Sequence, residues 1–294
     1  MRFFVTGATG FIGSAVVREL LVAGHQVLGL ARSDRAATAL KEAGAEVHRG
    51  DLDDLDGLRE AAAAADGVAH LAFIHDFSDF PAAAETDRRA ITAMGEALAG
   101  SGRPFVVTSG TLTLAPGRTA TEQDVAQNHT VPRRSEQAAL AFVERGVRAS
   151  VVRLPPSVHG EGDHGFVPRL IEIAREKGVS AHPGDGSNRW PAVHRLDAAR
   201  LYRLALEAAP AGSRLHGIHE EGVAVRDIAE VIGRRLDLPV TSIPREAAAE
   251  HYGWLGAFIT ADGPASSALT RELTGWRPTQ QGLLADLEEG HYFD

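Results

Sequence analysis

The stretch Met1-Arg2-Phe3-Phe4-Val5-Thr6-Gly7-Ala8-Thr9-Gly10-Phe11-Ile12-Gly13 decides the fold. Phe3, Phe4 and Val5 form a short apolar run, the signature of a parallel strand buried on both faces. Gly7, Gly10 and Gly13 follow at three-residue spacing, and Ala15, Val16, Val17, Leu20 and Leu21 then recur at roughly helical spacing. The order is strand, tight turn, helix, and that context gives a glycine triplet its meaning. Such a turn aims unpaired amides of a helix N-terminus at an anion, most naturally a pyrophosphate. Gly7 permits the turn, Gly10 lets backbone approach phosphate, and Gly13 lets the helix pack close to the strand. Thr9, Phe11 and Ile12 share the turn and join the glycines as cofactor-binding candidates. The bland alternative is a turn without a ligand, against which stands the entropic cost of three glycines in one βα turn.

Outward from this unit, strands and helices alternate. Residues 26–31 read as a second strand, 36–43 as a helix, 45–48 as a strand and about 54–64 as a helix. Residues 67–73 read as a fourth strand, about 81–99 as a long helix, 103–109 and 148–154 as further strands. Strands alternating with helices imply a parallel sheet covered on both faces, with ligands at the carboxyl ends of the strands. Residues 166–177 read as an amphipathic helix, 197–208 as another, and 222–227 as a strand running into an N-cap at Asp227 before a helix over 228–236.

The end of the second strand should face the adenosine ribose. Ala31 stands where an acid would hydrogen-bond the 2′-hydroxyl, and Arg32 and Ser33, with Arg35, suit a 2′-phosphate instead. This favours NADP(H) over NAD(H). Asp34 as a ribose ligand and Arg32 as a solvated surface residue are the alternatives. Asp51 is placed to accept from the adenine amino group and Leu52 to pack on the ring; Asp51 as a helix cap is the bland reading. Leu71, Ala72 and Phe73 end the fourth strand where the cofactor should pass.

The chain has 294 residues, of which 44% are hydrophobic and 23% charged, and a formal charge of −9. This is an ordinary globular composition, and its sign argues against nucleic-acid or anionic-membrane partners. No apolar run is long enough to span a bilayer. The chain begins directly with a strand and contains no cysteine, so the expectation is a cytoplasmic protein without leader, disulfides or thiolate metal sites.

At this point the chain resembles the extended short-chain dehydrogenase/reductase superfamily, NAD-dependent epimerase/dehydratase type. The matching residues are the glycine turn from Thr6 to Gly13, Gly50-Asp51-Leu52, Thr108-Ser109, the run from Val152 through Pro155, Pro156, Ser157, Val158 and His159 to Gly160, and that from Gly184 through Trp190 and His194 to Ala199. The resemblance implies a Rossmann-type doubly wound parallel sheet with a smaller C-terminal α/β substrate domain. Residues 1–154 would bind the dinucleotide, with a segment at about 191–210 returning to that domain. Residues 155–294 would mainly bind substrate, and the protein would pair as a homodimer through two long helices. The resemblance also places Pro155, Ser157 and Val158 beside the nicotinamide and His159, Trp190, His194 and Arg195 on the substrate side. Trp190 as core packing is an equal reading, His194 as a structural residue stays open beside the substrate-side one, and a metal at His159, Asp163 and His164 is not expected from their spacing.

The family's catalytic pair is a tyrosine with a lysine four residues on. Here the tyrosines are Tyr202, Tyr252 and Tyr292 and the lysines Lys41 and Lys177, so the pair is absent. His129 and Arg133 stand at that spacing in the corresponding region. A histidine exchanges protons near neutrality, and an arginine holds a fixed charge that lowers a neighbouring acid's pKa. His129 is therefore the candidate proton donor and Arg133 the candidate lysine surrogate at the cofactor, with Arg134 the alternative if the alignment slips; a helix start at Pro132 with exposed arginines is the bland reading. Thr108 is a cofactor candidate, and Ser109 or Thr111 would polarise a substrate carbonyl. These residues point to an NADP(H)-dependent oxidoreductase acting on a small, uncharged or weakly polar carbonyl or alcohol, although Arg169, Arg189 and Arg195 weigh against an uncharged one. An epimerase or dehydratase using bound cofactor, and a non-catalytic NADP(H) sensor, are the competing readings.

Overall fold

The computed structural model describes residues 1–75, 79–112, 114–125 and 133–293. The first half runs β1 (Arg2–Thr6), α1 (Phe11–Val22), β2 (Gln26–Ala31), α2 (Asp34–Glu42), β3 (Glu46–Arg49), α3 (Leu55–Ala63), β4 (Gly67–His70), α4 (Phe80–Leu98), β5 (Pro104–Gly110), α5 (Ser135–Leu140) and β6 (Arg148–Leu154). The second half follows with β7 (Ser157–His159), α6 (Phe166–Lys177), β8 (Ser180–Pro183), β9 (Arg189–His194), α7 (Arg195–Ala208), β10 (Arg214–His216), β11 (Glu220–Ala224), α8 (Val225–Leu236) and β12 (Val240–Ile243). The short helices α9 (Ala248–Tyr252), α10 (Gly256–Ile259), α11 (Ala268–Thr274) and α12 (Leu283–Glu288) complete the chain.

Seven strands form one sheet in the order β10-β6-β5-β4-β1-β2-β3, every neighbouring pair parallel. Successive side chains of β1 serve opposite faces. Phe3 and Val5 join Val16, Leu20, Leu201 and Tyr202 in one core under α1 and α7. Phe4 joins Leu58, Ile91, Met94 and Phe105 in the other, under α3 and α4. This two-sided burial is why β1 reads as an unbroken apolar run rather than an alternating one. The strand order reverses about β1, so the crevice between β1 and β4 opens at the carboxyl ends, where an open α/β sheet takes its ligands.

The second lobe is built on a three-stranded sheet, β11-β9-β7, and the parallel pair β12-β8. α6, α8 and α12 bury Ile171, Ile228, Ile232, Leu283 and Leu287 with Trp190. The return to the large sheet starts at Arg195, with α7 and β10, because β9 pairs with β7 and β11 rather than with the seven-stranded sheet. Trp276 also returns: it lies in the first core, and its indole nitrogen donates to the Asp197 carbonyl at 2.9 Å.

Several boundaries differ from the sequence pattern. α7 begins at Arg195 because His194 caps it, Nδ1 accepting from the Leu196 amide at 3.2 Å. α8 begins at Val225 after Ala224, so Asp227 lies in its first turn and is not its cap. β4 stops at His70, leaving Leu71, Ala72 and Phe73 in the loop beyond.

Candidate active site

The glycine turn leaves no room for side chains. Gly7 has φ +67°, and a Cβ there would lie 2.8 Å from the Ala72 nitrogen. A Cβ on Gly13 would lie 2.0 Å from the Gly7 carbonyl oxygen, so α1 packs against the turn only as glycine. The Gly10 amide donates to that same oxygen at 2.9 Å. Gly10 caps α1 with no side-chain hydrogen bond, and the first turn of α1 carries no acidic side chain. Thr9 and Gly10 are exposed, while Phe11 and Ile12 are half-buried. The amides at the start of α1 are thus presented with no acid in the helix's own first turn, which fits a diphosphate.

At the expected ribose end, Arg32, Ser33 and Arg35 are exposed. Ser33 caps α2, its Oγ accepting from the Ala36 amide at 3.2 Å. Asp34 is engaged by Arg49. Asp51 Oδ1 accepts from the amides of Asp53 and Asp54 at 2.9 and 3.2 Å, tying the loop after β3. The cap of α3 is Asp54 rather than Asp51: Asp54 Oδ1 accepts from the Gly57 amide at 3.1 Å. Leu52 is buried against the second core.

At the other end, three sequence candidates converge. The Arg133 guanidinium donates to the Thr108 carbonyl at 2.9 Å and lies 4.1 Å from the centre of the Phe73 ring. Its Nε donates to Ser135 Oγ at 2.7 Å, and Ser135 donates on to Asp87 Oδ2 at 2.5 Å. Asp87 Oδ1 also takes the Nε2 proton of His70 at 3.1 Å. His70 Nδ1 then accepts from Thr6 Oγ1 at 2.7 Å, and Thr6 accepts from the Ala72 amide at 3.2 Å. Every hydrogen in this chain has one consistent direction with a neutral imidazole. Burial pushes the Asp87 carboxyl up, but the bonds from His70 and Ser135 and the charge of Arg133 hold it below its ordinary range.

Asp87, His70 and Ser135 were not among the sequence candidates. One signal was available: Asp87 interrupts the stripe of Ala83, Ala84, Ala90, Ile91 and Met94 that α4 buries. An acid on such a face requires a partner. His75 is a further unanticipated neighbour, its ring centre 5.4 Å from that of Phe73. Burial, then the Arg133 charge, push its pKa down.

Ser109 is half-buried at the end of β5. Thr111 is only 1% exposed and turns its hydroxyl toward the Leu154 carbonyl at 3.4 Å, so it serves the backbone of β6 and not a substrate oxygen. His129 lies outside the described residues. The tyrosines are occupied elsewhere. Tyr202 is fully buried and donates to Thr108 Oγ1 at 2.7 Å, which in turn donates to the His70 carbonyl; Tyr252 donates to the Ala181 carbonyl.

The second lobe closes over the turn. Pro155 is buried and Val158 half-buried against the first core, while Ser157 Oγ is buried without a hydrogen-bond partner among the described residues. His159 is fully enclosed, Nδ1 donating to Asp286 Oδ2 at 2.8 Å, which leaves Nε2 an acceptor with no such partner. His194 packs edge-on against it at 5.3 Å between ring centres. Trp190 is wholly buried, its Nε1 donating to the Phe258 carbonyl at 3.2 Å, so it packs the core and presents no surface to a ligand. Tyr292 ties the loop after β7 to the C-terminus: its hydroxyl accepts from the Gly160 amide at 3.0 Å and donates to Asp163 Oδ2 at 3.2 Å. His164 and Arg195 both meet Phe11 of the glycine turn, at 5.9 Å between ring centres and 5.2 Å from guanidinium to ring. His159, Asp163 and His164 therefore point to three different partners and do not form a common site.

A parallel seven-stranded sheet, a glycine cradle and a cationic group at the end of β5 are now joined by a direct finding: the model of the NAD dependent epimerase/dehydratase family matches residues 3–216. The chain belongs to that family. Among its relatives, an uncharacterized protein of Schizosaccharomyces pombe is 51% identical over 295 residues, covering 100% of both chains. The 2-alkyl-3-oxoalkanoate reductase of Stenotrophomonas maltophilia is 31% identical over 231 residues, covering 74% of this epimerase/dehydratase-family chain and 68% of the reductase. Of the solved structures, DesIV (dTDP-glucose 4,6-dehydratase) of Streptomyces venezuelae with NAD bound aligns with TM-score 0.78 at 21% identity, covering 98% of this chain and 96% of that one. At that identity the likeness shows the shared fold.

Proposed function

We propose that this family member is an NADP(H)-dependent oxidoreductase that moves hydride to or from a small carbonyl or alcohol, using a proton donor other than the family's usual tyrosine. The observation that carries the reading is Arg133, held on the Thr108 carbonyl near the carboxyl end of β5 and against the Phe73 ring. It is a fixed cation where a nicotinamide ribose and a polarised substrate oxygen would both lie. The bound nicotinamide would supply or accept the hydride. The chain's own residues do the rest. The turn amides hold the diphosphate, Arg32 and Arg35 hold the 2′-phosphate, and Phe73 walls the nicotinamide side. Ser109 hydrogen-bonds the substrate oxygen. Arg133 favours the negative charge that develops on it as the carbonyl carbon accepts hydride, before a proton completes the alcohol. His129 remains the proposed source of that proton. The name of the Stenotrophomonas relative, a reductase of a 3-oxo compound, supports ketone chemistry over sugar chemistry.

Titrating the protein with NADPH and NADH while following nicotinamide fluorescence tests the cofactor part. Adding a panel of ketones and following loss of the reduced cofactor tests the reaction. Binding of NADPH followed by its oxidation by a ketone is expected. No binding of either cofactor at millimolar concentration overturns the reading.

A further inference from the structure

The hydrogen bonds around Arg133 close on themselves. Its Nη2 donates to the Thr108 carbonyl at 2.9 Å, and the Thr108 hydroxyl donates to the His70 carbonyl at 2.8 Å. The His70 ring then leads back. Its Nε2 donates to Asp87 Oδ1 at 3.1 Å, Ser135 donates to Asp87 Oδ2 at 2.5 Å, and Ser135 accepts from Arg133 Nε at 2.7 Å. Residues of β4, α4, β5 and α5 thus join the guanidinium in one closed ring of bonds. His70, Asp87 and Ser135 are no more than 1% exposed.

Packing already holds these elements together: Val68 of β4, Ile91 and Met94 of α4, Phe105 and Val107 of β5 and Ala139 of α5 share one core. The polar ring adds what apolar contact does not, a fixed direction for a charged group. Nη2 and Nε are held from two sides, and the Phe73 ring lies against the guanidinium at 4.1 Å. A buried carboxylate also requires a counter-charge. Among the described residues the Asp87 oxygens bond to the His70 ring and the Ser135 hydroxyl, and the guanidinium lies one hydroxyl away. Each charge favours the other: Arg133 helps to hold the Asp87 carboxyl low, and Asp87 opposes the fall that burial imposes on Arg133.

We propose that His70, Asp87 and Ser135 are positioning residues for Arg133: the closed ring sets the plane of the guanidinium, and Asp87 supplies its counter-charge through the Ser135 hydroxyl. That the positioned cation acts on a substrate oxygen rests on the functional reading above; the positioning itself does not. The Nε–H of Arg133 is a single proton within the ring, so its exchange with water reports the ring without turnover. Exchange is followed by 15N NMR on the full chain, and the signal is identified by its loss in Arg133→Met. In the unaltered protein it should exchange at least about tenfold more slowly than the Nε–H of the exposed Arg32, the size of one retained hydrogen bond. Ser135→Ala removes the nearer link and Asp87→Asn weakens the farther one. Each should speed that exchange about tenfold and lower kcat for a reducible ketone about tenfold, with KM nearly unchanged. Both cut the same path, so the double variant should lose no more than the larger single loss. Multiplied losses, a loss confined to KM, or exchange in the unaltered protein as fast as that of Arg32 would each overturn the inference. So would a folded Asp87→Asn protein whose Arg133 exchange is unchanged, an arm that decides even where Ser135→Ala does not fold. Exchange that responds as expected in a protein that reduces no ketone would keep the positioning and remove the oxidoreductase reading.

Discussion

Arg133 is the proposed stand-in for the family's lysine, and its shape changes what the site demands. A guanidinium is a planar fork that binds two directions at once, whereas an ammonium is a rotating point charge. Here one side of the fork holds the Thr108 carbonyl and Nε holds Ser135, leaving the face stacked on Phe73. Arg133→Lys keeps the charge but cannot span both acceptors, so kcat/KM should fall about tenfold or more, the size of a lost charge-assisted bond. Arg133→Met should fall further, and steady-state rates with a reducible ketone check both; parity of Lys and Arg would mean that charge alone suffices. At the opposite end, Arg32 is exposed and is set beside the cap of α2. Arg32→Glu should weaken NADPH far more than NADH in a fluorescence titration. Equal losses would remove the 2′-phosphate assignment.

At the level of elements, the glycine turn separates two demands that substitution can pull apart. A Cβ on Gly13 meets the Gly7 carbonyl at 2.0 Å, which no rotamer relieves, so Gly13→Ala should lower Tm by several degrees, as expected for a cost of about 2 kcal/mol or more. A Cβ on Gly10 meets that oxygen only at 3.2 Å, so Gly10→Ala should fold near the normal Tm and lose cofactor affinity. Thermal unfolding and NADPH titration on both variants check the split. This turn and the strands around it were legible in the sequence because their signals are local: glycine spacing, apolar runs and helical periodicity. The relay behind Arg133 was not. Its bonds join Thr6 to His70, His70 to Asp87 and Asp87 to Ser135 across 64, 17 and 48 positions. Only the fold brings α4, β4, β1 and α5 to one point. Local hydrogen bonding likewise decided against the pattern at Asp51, where the neighbouring Asp54 reached the helix amide, and at Thr111, whose hydroxyl found a strand carbonyl. Asp87→Asn should therefore cost activity through Arg133, lowering kcat more than it raises KM, because the amide cannot accept from both His70 and Ser135 as the carboxylate does.

Across the whole molecule, the C-terminal residues fasten both lobes: Trp276 enters the first core, Leu283 and Leu287 the second, and Tyr292 holds the Gly160 turn beside the cleft. The buried acids in this arrangement respond to pH with opposite signs. Asp87, Glu136 and Asp286 are held below their ordinary range by partners that outweigh the upward push of burial, namely His70, Arg153 and His159 first in each case. Their stabilising effect is present above the ordinary carboxylate range and is lost as the pH falls through their folded-state values. Asp163 runs the other way. Burial raises it from 3.8 to about 6, so the folded state binds the proton more tightly than the unfolded chain does. Its contribution is complete below about pH 4 and disappears as the pH rises through about 6. Asp163→Asn cannot titrate, so the variant should lose the decline in Tm that this group imposes between those values while keeping the acid limb set by Asp87, Glu136 and Asp286. Tm measured at half-unit steps from pH 3.5 to 7.5 for both proteins checks this. A difference between the two that stays constant across the series would mean that Asp163 is ionised throughout, and that Tyr292 holds the loop against a full charge.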